Sequence, residues 1–496
     1  MSRPIQIERV KTIVLVVLFS MTILLLYFSW KDSFFGNIKI PIDFLYQEEA
    51  IALPEVIDLI EPNEIIVNFG SDTHTIVSPK DYDYWHSFTL QLGGFLNAED
   101  LNVVEITKAQ FDEAMGFRSI RLKFNYSLPF TDTLGHLGIE LNTNSIPVET
   151  FTGLAYSSAI QDSIIIFDIN KQKYYRAISS YDLSAVNLMI DSIEKNAYDA
   201  YFPMSVFLGI DSLTLMPISI STAMKEVAFG KEINYYENEK IVKFAQTFFG
   251  EGFDFVRKIT ESNGTTIYMY GYGQKILILN KDGAIEYKEE LGDAAYSPLD
   301  YYNSLEAAIA YVGAHGSWES LNGTKLTPYL KKAIPITVNN KNGYRFIFSM
   351  LINNYSLNLE GSKEVLSVDI LGKTVVNYKR QMLDISQSTL DSLIDATEEQ
   401  TVDPINILSN SHMEIKNILN AAGIIIPGTA ETELFENTSL LVDEIKMGYV
   451  KIDEADGTQT GKIYPAWIFK VGDINIYFDI FSGKLLGNPD QIAGEI

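Results

Sequence analysis

The chain contains no cysteine among its 496 residues. This absence excludes disulfide scaffolding, thiol catalysis, cysteine-ligated zinc and iron–sulfur clusters. Histidine is also scarce, with five residues scattered along the chain at His74, His86, His136, His315 and His412. Because histidine ligands usually occur at close spacing, as in H-E-x-x-H, this scatter predicts no metal site.

Positive charge is in short supply as well. The chain has 38 Lys and Arg against 64 Asp and Glu, which gives a formal net charge of -26. A surface that binds nucleic acid must neutralise phosphates, so the composition argues against nucleic-acid partners. The 47% hydrophobic and 12% aromatic content is enough to bury real cores. Since domains cluster around ~100–150 residues, we expect two to four of them.

Signatures of catalysis are missing or incomplete. No G-x-S-x-G elbow occurs, and the stretch Ser192–Lys195 matches S-x-x-K without the S-D-N and K-T-G motifs that accompany it in penicillin-binding proteins. Ser192 and Lys195 also lie in a predicted helix, residues 185–196, where they are ordinary surface neighbours. The stretch 457–463 resembles a phosphate loop but is one residue short. We predict a protein that is not an enzyme and has no cofactor.

One long apolar run stands out from the acidic background. Residues 12–30 read TIVLVVLFSMTILLLYFSW, without a charge and with Tyr27 and Trp30 near the end. At about 1.5 Å per residue this helix would span the ~30 Å hydrocarbon layer, and terminal aromatics suit the membrane interface. A cleaved signal peptide is the alternative, but the run lacks an A-x-A-like cleavage site. We predict one retained transmembrane helix.

The flanking charges predict the orientation of that helix. Arg3, Arg9 and Lys11 against Glu8 give residues 1–30 a charge of +2, which leaves -28 for the rest of the chain. Lys and Arg mark the cytoplasmic side, so residues 1–11 form a cytoplasmic tail and the bulk of this single-pass cell-membrane protein is extracytoplasmic. A large exported chain without disulfides is natural for a bacterium with one membrane.

The exterior alternates between strand and helix patterns. A linker, residues 31–60, leads to a predicted hairpin at 64–70 and 74–78 and to a helix at 82–96, in which Tyr84, Phe88 and Leu92 are one turn apart. Further strands are predicted at 119–126 and 163–168. These elements form a predicted N-terminal α+β domain over residues 61–235.

The second half repeats one plan three times. A helix that ends at a glycine precedes antiparallel strands, with the predicted helices at 237–249, 303–312 and 410–422. The first of them leads to a predicted strand at 253–258. We place a middle α+β domain at 236–385 and a C-terminal one at 386–496. The fold class is therefore α+β, with one N-terminal transmembrane helix and a multi-domain extracytoplasmic region of antiparallel sheets covered by helices.

Local sequence resembles a known family at several places. Ser29-Trp30 and residues 60–74, IEPNEIIVNFGSDTH, resemble the opening of the YycH family of Gram-positive bacteria. The stretches 343–348, 366–378, 464–469 and 477–479 are similar to the β-rich modules that YycH shares with its partner YycI. The resemblance follows strand patterns along the chain rather than catalytic signatures.

This resemblance implies a function. YycH proteins are membrane-anchored regulators of the WalK/WalR two-component system, so the chain would modulate a WalK-like sensor histidine kinase that controls cell-wall metabolism. The implied partners are that kinase, a YycI-like membrane protein and the membrane itself. The contacts would involve the transmembrane helix and the exterior domains, and the resemblance assigns no ligand residues.

Polar residues within the apolar run are the candidate contacts in the membrane. Small and hydroxyl side chains allow close helix approach and interhelical hydrogen bonds in lipid, and the run contains Thr12, Ser20, Thr22 and Ser29. A plain anchor is the alternative, because such contacts average only ~0.6 kcal/mol.

Two further hypotheses stay open from the sequence. Aromatic-rich segments such as residues 268–272, YMYGY, also fit an extracytoplasmic binding module for a cell-wall fragment or peptide, although alternation of this kind is typical of packed sheets. An exported peptidoglycan enzyme that uses Ser192 and Lys195 ranks last.

Overall fold

The computed structural model describes residues 53–78, 83–141, 146–196, 198–233, 238–292, 296–361, 363–394, 396–452 and 460–487. The predicted transmembrane helix at 12–30 lies outside these residues. Within the described ranges, no helix combines the length and the apolar character that crossing a membrane requires.

The first half of the described chain builds one nine-stranded sheet. Its strand order is β3-β7-β6-β5-β4-β1-β2-β8-β9, and its pairs are antiparallel. The strands are β1 Glu64–Gly70, β2 Thr73–Val77, β3 Asn102–Ile106, β4 Ser119–Pro129, β5 Thr150–Ser157, β6 Ser163–Asp168, β7 Lys173–Ile178, β8 Tyr201–Pro203 and β9 Leu215–Pro217.

Six helices accompany this sheet in the described chain. They are α1 Val56–Leu59, α2 Tyr84–Leu96, α3 Lys108–Met115, α4 Phe130–His136, α5 Ser184–Lys195 and α6 Met204–Leu208. Helix α2 buries Tyr84, Phe88 and Leu92, the stripe that the sequence predicts. Helix α3 begins with a capping box in which the Thr107 side chain accepts from the Gln110 N–H and the Gln110 side chain accepts from the Thr107 N–H.

The second half builds a larger sheet of fifteen strands. Its main path is β12-β13-β14-β15-β20-β19-β17-β18-β23-β24-β11-β21, with β16 on β17, β25 on β24 and β26 on β25. A separate two-stranded sheet joins β10 and β22. The strands are β10 Ser221–Thr222, β11 Val227–Lys231, β12 Arg257–Thr260, β13 Thr266–Tyr270, β14 Lys275–Leu279, β15 Ile285–Glu289, β16 Thr327–Val338, β17 Lys341–Ile352, β18 Tyr355–Leu359, β19 Leu366–Leu371, β20 Thr374–Arg380, β21 Leu383–Asp384, β22 Glu399–Gln400, β23 Glu444–Lys451, β24 Thr460–Val471, β25 Ile474–Asp479 and β26 Leu485–Leu486.

Five α-helices belong to this half of the described chain: α7 Asn238–Phe249, α8 Tyr301–Ala314, α9 Gln387–Ile394, α10 Pro404–Ala421 and α11 Glu431–Leu440. The aromatic ring of Phe248 on α7 packs on Tyr287 and Tyr378, and that of Tyr301 on α8 packs on Phe346. Helices therefore cover one face of the second sheet. The α+β class with helices on sheets is confirmed for the described chain.

Strands from the predicted middle and C-terminal ranges share the second sheet. Strand β18 pairs with β23 in parallel, with Leu357 opposite Tyr449 and Leu359 opposite Lys451. A parallel pair needs a long crossover between its strands, and here α9, α10 and α11 lie in that crossover. The division of the exterior at residues 235 and 385 into separate domains stays a prediction.

Some predicted elements differ from the structure in their bounds. The predicted strand at 253–258 is wrong for most of its length, because Gly250–Phe255 is a 3-10 helix and the strand is Arg257–Thr260. Helix α10 begins at Pro404, six residues before the predicted start, since proline suits the first helical position. Strand β16 was not predicted, because its Pro328 and Pro335 argue against a strand unless it pairs at an edge.

Candidate functional site

A cleft of about 460 Å³ lies where the two large sheets meet. Its walls come from β1 and β2 of the first sheet, from β16 and the β17–β18 hairpin of the second, and from the start of β23. Strand β16 also contacts β4 directly. The cleft therefore lies at the contact between the two halves of the described chain.

Tyrosines line much of the cleft, namely Tyr198, Tyr201, Tyr329 and Tyr355. The Tyr198 hydroxyl lies 3.4 Å from that of Tyr84 on α2, and the Tyr355 hydroxyl lies 3.5 Å from Thr222 Oγ1 on β10. Burial raises the pKa of Tyr201, so its phenol stays protonated. The rings offer flat apolar surface beside hydroxyl groups, a combination that suits polar organic ligands.

Asparagine side chains add amide groups to the same walls. Asn63 and Asn125 lie on the first-sheet side, where Asn63 Oδ1 accepts from the Asn125 N–H at 2.7 Å. Asn353 and Asn354 form the turn of the β17–β18 hairpin, with φ of 49° and 66°. A two-residue hairpin turn with positive φ at both positions favours asparagine, so the turn itself brings two amides to the cleft.

A group of charged residues lies beside the cleft and joins the two sheets; we call it the inter-sheet charge cluster. It consists of Glu64 on β1, Lys123 on β4, Glu444 and Lys446 on β23, and Lys470 on β24. Glu64 lies opposite Lys123 in register, with 3.4 Å between Lys123 Nζ and Glu64 Oε2. Lys446 Nζ is 2.5 Å from Glu444 Oε1, and Lys470 Nζ is 3.8 Å from Glu444 Oε2. Each sheet therefore contributes an acid with its own lysine partner.

The two carboxyl groups of this cluster also contact each other. Glu64 and Glu444 lie close enough across the interface for each carboxyl group to shift the pKa of the other. Burial, and then the negative charge of Glu444, raises the pKa of Glu64 above its usual value. Burial also disfavours the Glu444 carboxylate, but the attraction of Lys446 and the interaction with Glu64 outweigh it and hold the pKa of Glu444 well below its usual range. Glu444 is therefore held as the carboxylate, and Glu64 is the one of the two acids that binds a proton more readily.

The charges of Glu64 and Glu444 also shift the pKa values of the lysines in the cluster. Burial works against the charged form of Lys446, yet the attraction of Glu444 and Glu64 raises its pKa. The attraction of Glu64 likewise raises the pKa of Lys123. Protonation at Glu64 therefore controls the charge balance of a contact between the two sheets.

The residues that the sequence singles out fall in different places. The candidate membrane contacts Thr12, Ser20, Thr22 and Ser29 lie outside the described residues, and so do residues 457–459 of the 457–463 stretch. Residues 460–463 begin strand β24. Ser192 and Lys195 are both exposed on α5. Their neighbours Asp191 and Glu194 each lie 2.6 Å from Arg118 Nη2, so this part of the helix serves an ion-pair contact.

The histidines are also dispersed in the fold. His74, His315 and His412 are buried. The Nδ1 atom of each lies within hydrogen-bond distance of a backbone carbonyl oxygen, at 3.0 Å from Asp72, 2.8 Å from Tyr311 and 3.0 Å from Ser409 respectively. His136 packs on the ring of Tyr302 with 4.0 Å between centroids. In the described part of the chain, no three His, Asp or Glu side chains gather in a way that could hold a metal ion.

Sequence reasoning missed the cleft and its charge cluster. Glu64 opens an apolar run and Glu444 and Lys446 alternate with apolar residues, so each is typical of the polar side of a strand. The one available signal was an ionisable residue at the start of an apolar, β-branched run, which needs a partner if the strand is buried. The identity of that partner depends on the long-range packing of the sheets.

Comparisons with known proteins add one finding. No sequence-family model matches the chain, and no curated protein matches it. Among solved structures, the chain is similar to YycH from Bacillus subtilis, with a TM-score of 0.54 and 13% identity, over 86% of this chain and 97% of that one. An uncharacterized protein from Eubacterium rectale is also 13% identical, over 54% of this chain and 86% of that one, but its TM-score of 0.29 carries no argument.

The first likeness covers 86% of this chain and shows a shared fold. The predicted resemblance to YycH is therefore confirmed at the level of the fold. At this identity the likeness transfers no site residue.

Proposed function

We propose that the chain is a membrane-anchored extracytoplasmic regulator that modulates a sensor histidine kinase controlling cell-wall metabolism. The observation that carries this proposal is the YycH fold, shared over 86% of the chain. The folded region from residue 53 onward is the exterior part, and the apolar run at 12–30 is its anchor. The proposed partners are a WalK-like kinase and a YycI-like membrane protein.

The proposed contacts have two parts, one in the membrane and one outside it. Within the run, Thr22 and Ser29 are seven residues apart and so lie on the same face of a helix. Hydroxyl groups on one face can bond across to a second helix in lipid. In the exterior, the cleft lies at the contact between the two sheets, and the inter-sheet charge cluster joins them. A partner bound to one sheet can therefore change the position of the other sheet.

Co-purification tests the proposal. The full chain, tagged at its C-terminus and extracted in mild detergent from its native host, should retain a sensor histidine kinase, and its deletion should change expression of that kinase's target genes. Absence of both effects would contradict the proposed function.

The membrane contact has its own variant. Thr22→Leu combined with Ser29→Leu should weaken kinase retention, because it removes both hydroxyls while keeping the helix apolar. The matched control, Leu24→Ile combined with Leu25→Ile, alters the same helix without touching a polar group. Equal retention of the kinase by both double variants would show that the hydroxyl groups are not the contact, and would leave the helix as a plain anchor.

The cleft favours a second candidate function, the binding of a cell-wall fragment. Its tyrosine rings and asparagine amides are the groups that recognise saccharides and peptides in clefts of this size. Purified wall fragments should raise the melting temperature of the protein by mass action, and Tyr355→Ala should reduce that rise. The exposed Tyr272, outside the cleft, gives the control Tyr272→Ala. An equal rise in melting temperature for all three proteins would rule out binding in the cleft.

A further inference from the structure

A second concavity, separate from the cleft, lies on the face of the second sheet opposite α7 and α8. It is a groove of about 550 Å³ lined by residues of β15, β17, β19 and β20. Register places Glu286, Lys379 and Ser367 side by side across three of these strands. A cavity of this volume is in the range of ligand sites.

Gln381, at the end of β20, is 5% exposed and lines the groove. Its main-chain N–H donates to the Val365 carbonyl at 2.7 Å, which holds the residue against β19. Its side-chain Nε2, in contrast, has no hydrogen-bond partner among the described residues. A buried donor without an acceptor in the chain is costly and rare in folded proteins, so this is a position where a water molecule or a ligand supplies the acceptor.

Asn377 presents the complementary group four residues earlier. Its Nδ2 donates to Asp369 Oδ2 at 3.3 Å, and Asp369 is itself held by Arg345 Nε and Nη2 at 2.6 and 2.7 Å. These contacts fix the orientation of the carboxamide. The other atom, Asn377 Oδ1, is buried and has no donor in the described chain.

The spacing of these two groups points to the kind of ligand. Residues 377 and 381 lie on the same side of the strand and about 13 Å apart, at ~3.3 Å per residue. Four residues of an extended peptide cover the same length, and a peptide main chain supplies both a carbonyl acceptor and an N–H donor. Lys379 lies between the two groups and Glu286 lies opposite it, so the groove offers one charge of each sign.

We propose that this groove binds a short extended peptide. A main-chain carbonyl of the peptide accepts from Gln381 Nε2, and a main-chain N–H donates to Asn377 Oδ1. Lys379, midway between these two groups, donates to a main-chain carbonyl in the middle of the peptide, and Glu286 opposite it accepts from a main-chain N–H. This activity goes beyond kinase regulation and does not depend on it, and it uses residues outside the inter-sheet cleft.

Saturation-transfer NMR on the full chain in detergent micelles tests the proposal, with tetra-alanine bearing free termini as the probe. We expect saturation transfer to the alanine methyl groups with the wild-type protein. Gln381→Leu should weaken binding about fivefold, the worth of one hydrogen bond. Lys379→Ala should weaken it by a smaller factor, and Gln161→Leu, at an exposed site in the connection between β5 and β6, should leave it unchanged.

The fold of the variants is checked by their melting temperatures. Gln381→Leu replaces a buried donor that has no acceptor in the described chain, so its melting temperature should equal or exceed that of the wild type. If Gln381→Leu does not fold, the exposed Lys379→Ala variant carries the test.

Three results would overturn the proposal. The first is no transfer to tetra-alanine with the wild-type protein, and the second is equal transfer in the wild type and in both groove variants. The third is transfer to N,N′-diacetylchitobiose, an uncharged diamide sugar, that equals tetra-alanine and falls equally in Gln381→Leu. Loss of wall-fragment binding in Tyr355→Ala, with tetra-alanine binding intact, would separate the two sites.

Discussion

Two buried charged groups hold this molecule together in different ways. Inside the second sheet, Arg380 and Glu232 are one base and one acid, both with fully buried side chains and 2.5 Å between Arg380 Nη2 and Glu232 Oε1. Arg380 also donates to the carbonyls of Gly316, Ser317 and Glu319. Between the sheets, the inter-sheet charge cluster places two acids in contact with each other, beside lysines that are about one-third exposed.

The difference lies in what protonation can change. The Arg380–Glu232 pair is balanced in charge and sealed from water, so it acts as a permanent anchor for the loop at 316–319. The inter-sheet cluster contains two neighbouring acids, and loss of a proton from Glu64 places two carboxylates against each other. The anchor lies within one sheet, and the titratable contact lies between two.

The largest expected effect comes from breaking the anchor. Arg380→Met leaves Glu232 buried without its partner and should lower the free energy of unfolding by about 3–5 kcal/mol. Urea denaturation at pH 7 measures this change. The exposed ion pair of Lys462 and Glu226 offers the control Lys462→Met, which should cost about 0–1 kcal/mol. Equal effects in the two variants would show that burial does not set the strength of the Arg380 contact.

The second prediction concerns the loss of stability in acid that His315 causes, beside the Arg380–Glu232 pair. His315 is buried, its carbonyl accepts from the Tyr378 hydroxyl, and burial lowers its pKa to about 4. Because this folded pKa is below the unfolded value of ~6.5, His315 contributes stability above that value, which is lost as pH falls toward 4. Between pH 7 and 4 the wild type should lose about 3 kcal/mol more than His315→Asn.

The control for this pH series is His86→Asn, since His86 is exposed. Asparagine at 315 keeps a donor for the Tyr311 carbonyl, so packing at neutral pH is disturbed little. A pH profile for His315→Asn that matches the wild type would contradict the prediction.

The third prediction weakens the contact between the sheets. Glu444→Gln removes the carboxylate that Lys446 and Lys470 share, and should lower the free energy of unfolding at pH 7 by about 1–2 kcal/mol. The loss is smaller than for Arg380 because the lysines remain partly in water. Denaturation of Glu226→Gln, at an exposed pair, supplies the comparison and should differ from the wild type by less than about 0.5 kcal/mol.

The smallest expected effect is the change in stability with pH that the titration of Glu64 causes. Its folded pKa is raised, so its contribution to stability is present below the unfolded pKa and is lost as pH rises through the folded pKa. Glu64→Gln keeps a hydrogen-bond donor toward Glu444 without the titration. This variant should match the wild type near pH 4 and exceed its stability by up to about 1 kcal/mol at pH 8. A constant difference across that range would show that Glu64 does not titrate in the fold.

The local pattern of the sequence was sufficient to predict the positions of many helices and strands. The hairpin of β1 and β2 and the stripe on α2 match their predicted positions, because turn residues and apolar spacing act over a few neighbours. Strand β5 was missed, since nearly all of its residues are buried and no alternation remains to be read. The site was missed for a related reason, because no local pattern distinguishes Glu64 from any other polar residue in a strand.

The sequence by itself determined the acidic character, the absence of thiol chemistry, the apolar run at 12–30 and the alternation of strands and helices, all of which depend on composition or on near neighbours. Only the tertiary structure decided which charges meet. Glu64 and Glu444 are 380 residues apart, and their contact requires the parallel pairing of β18 with β23 and the packing of two sheets. Such contacts are set by register and long-range packing, which a linear pattern of polar and apolar residues does not specify.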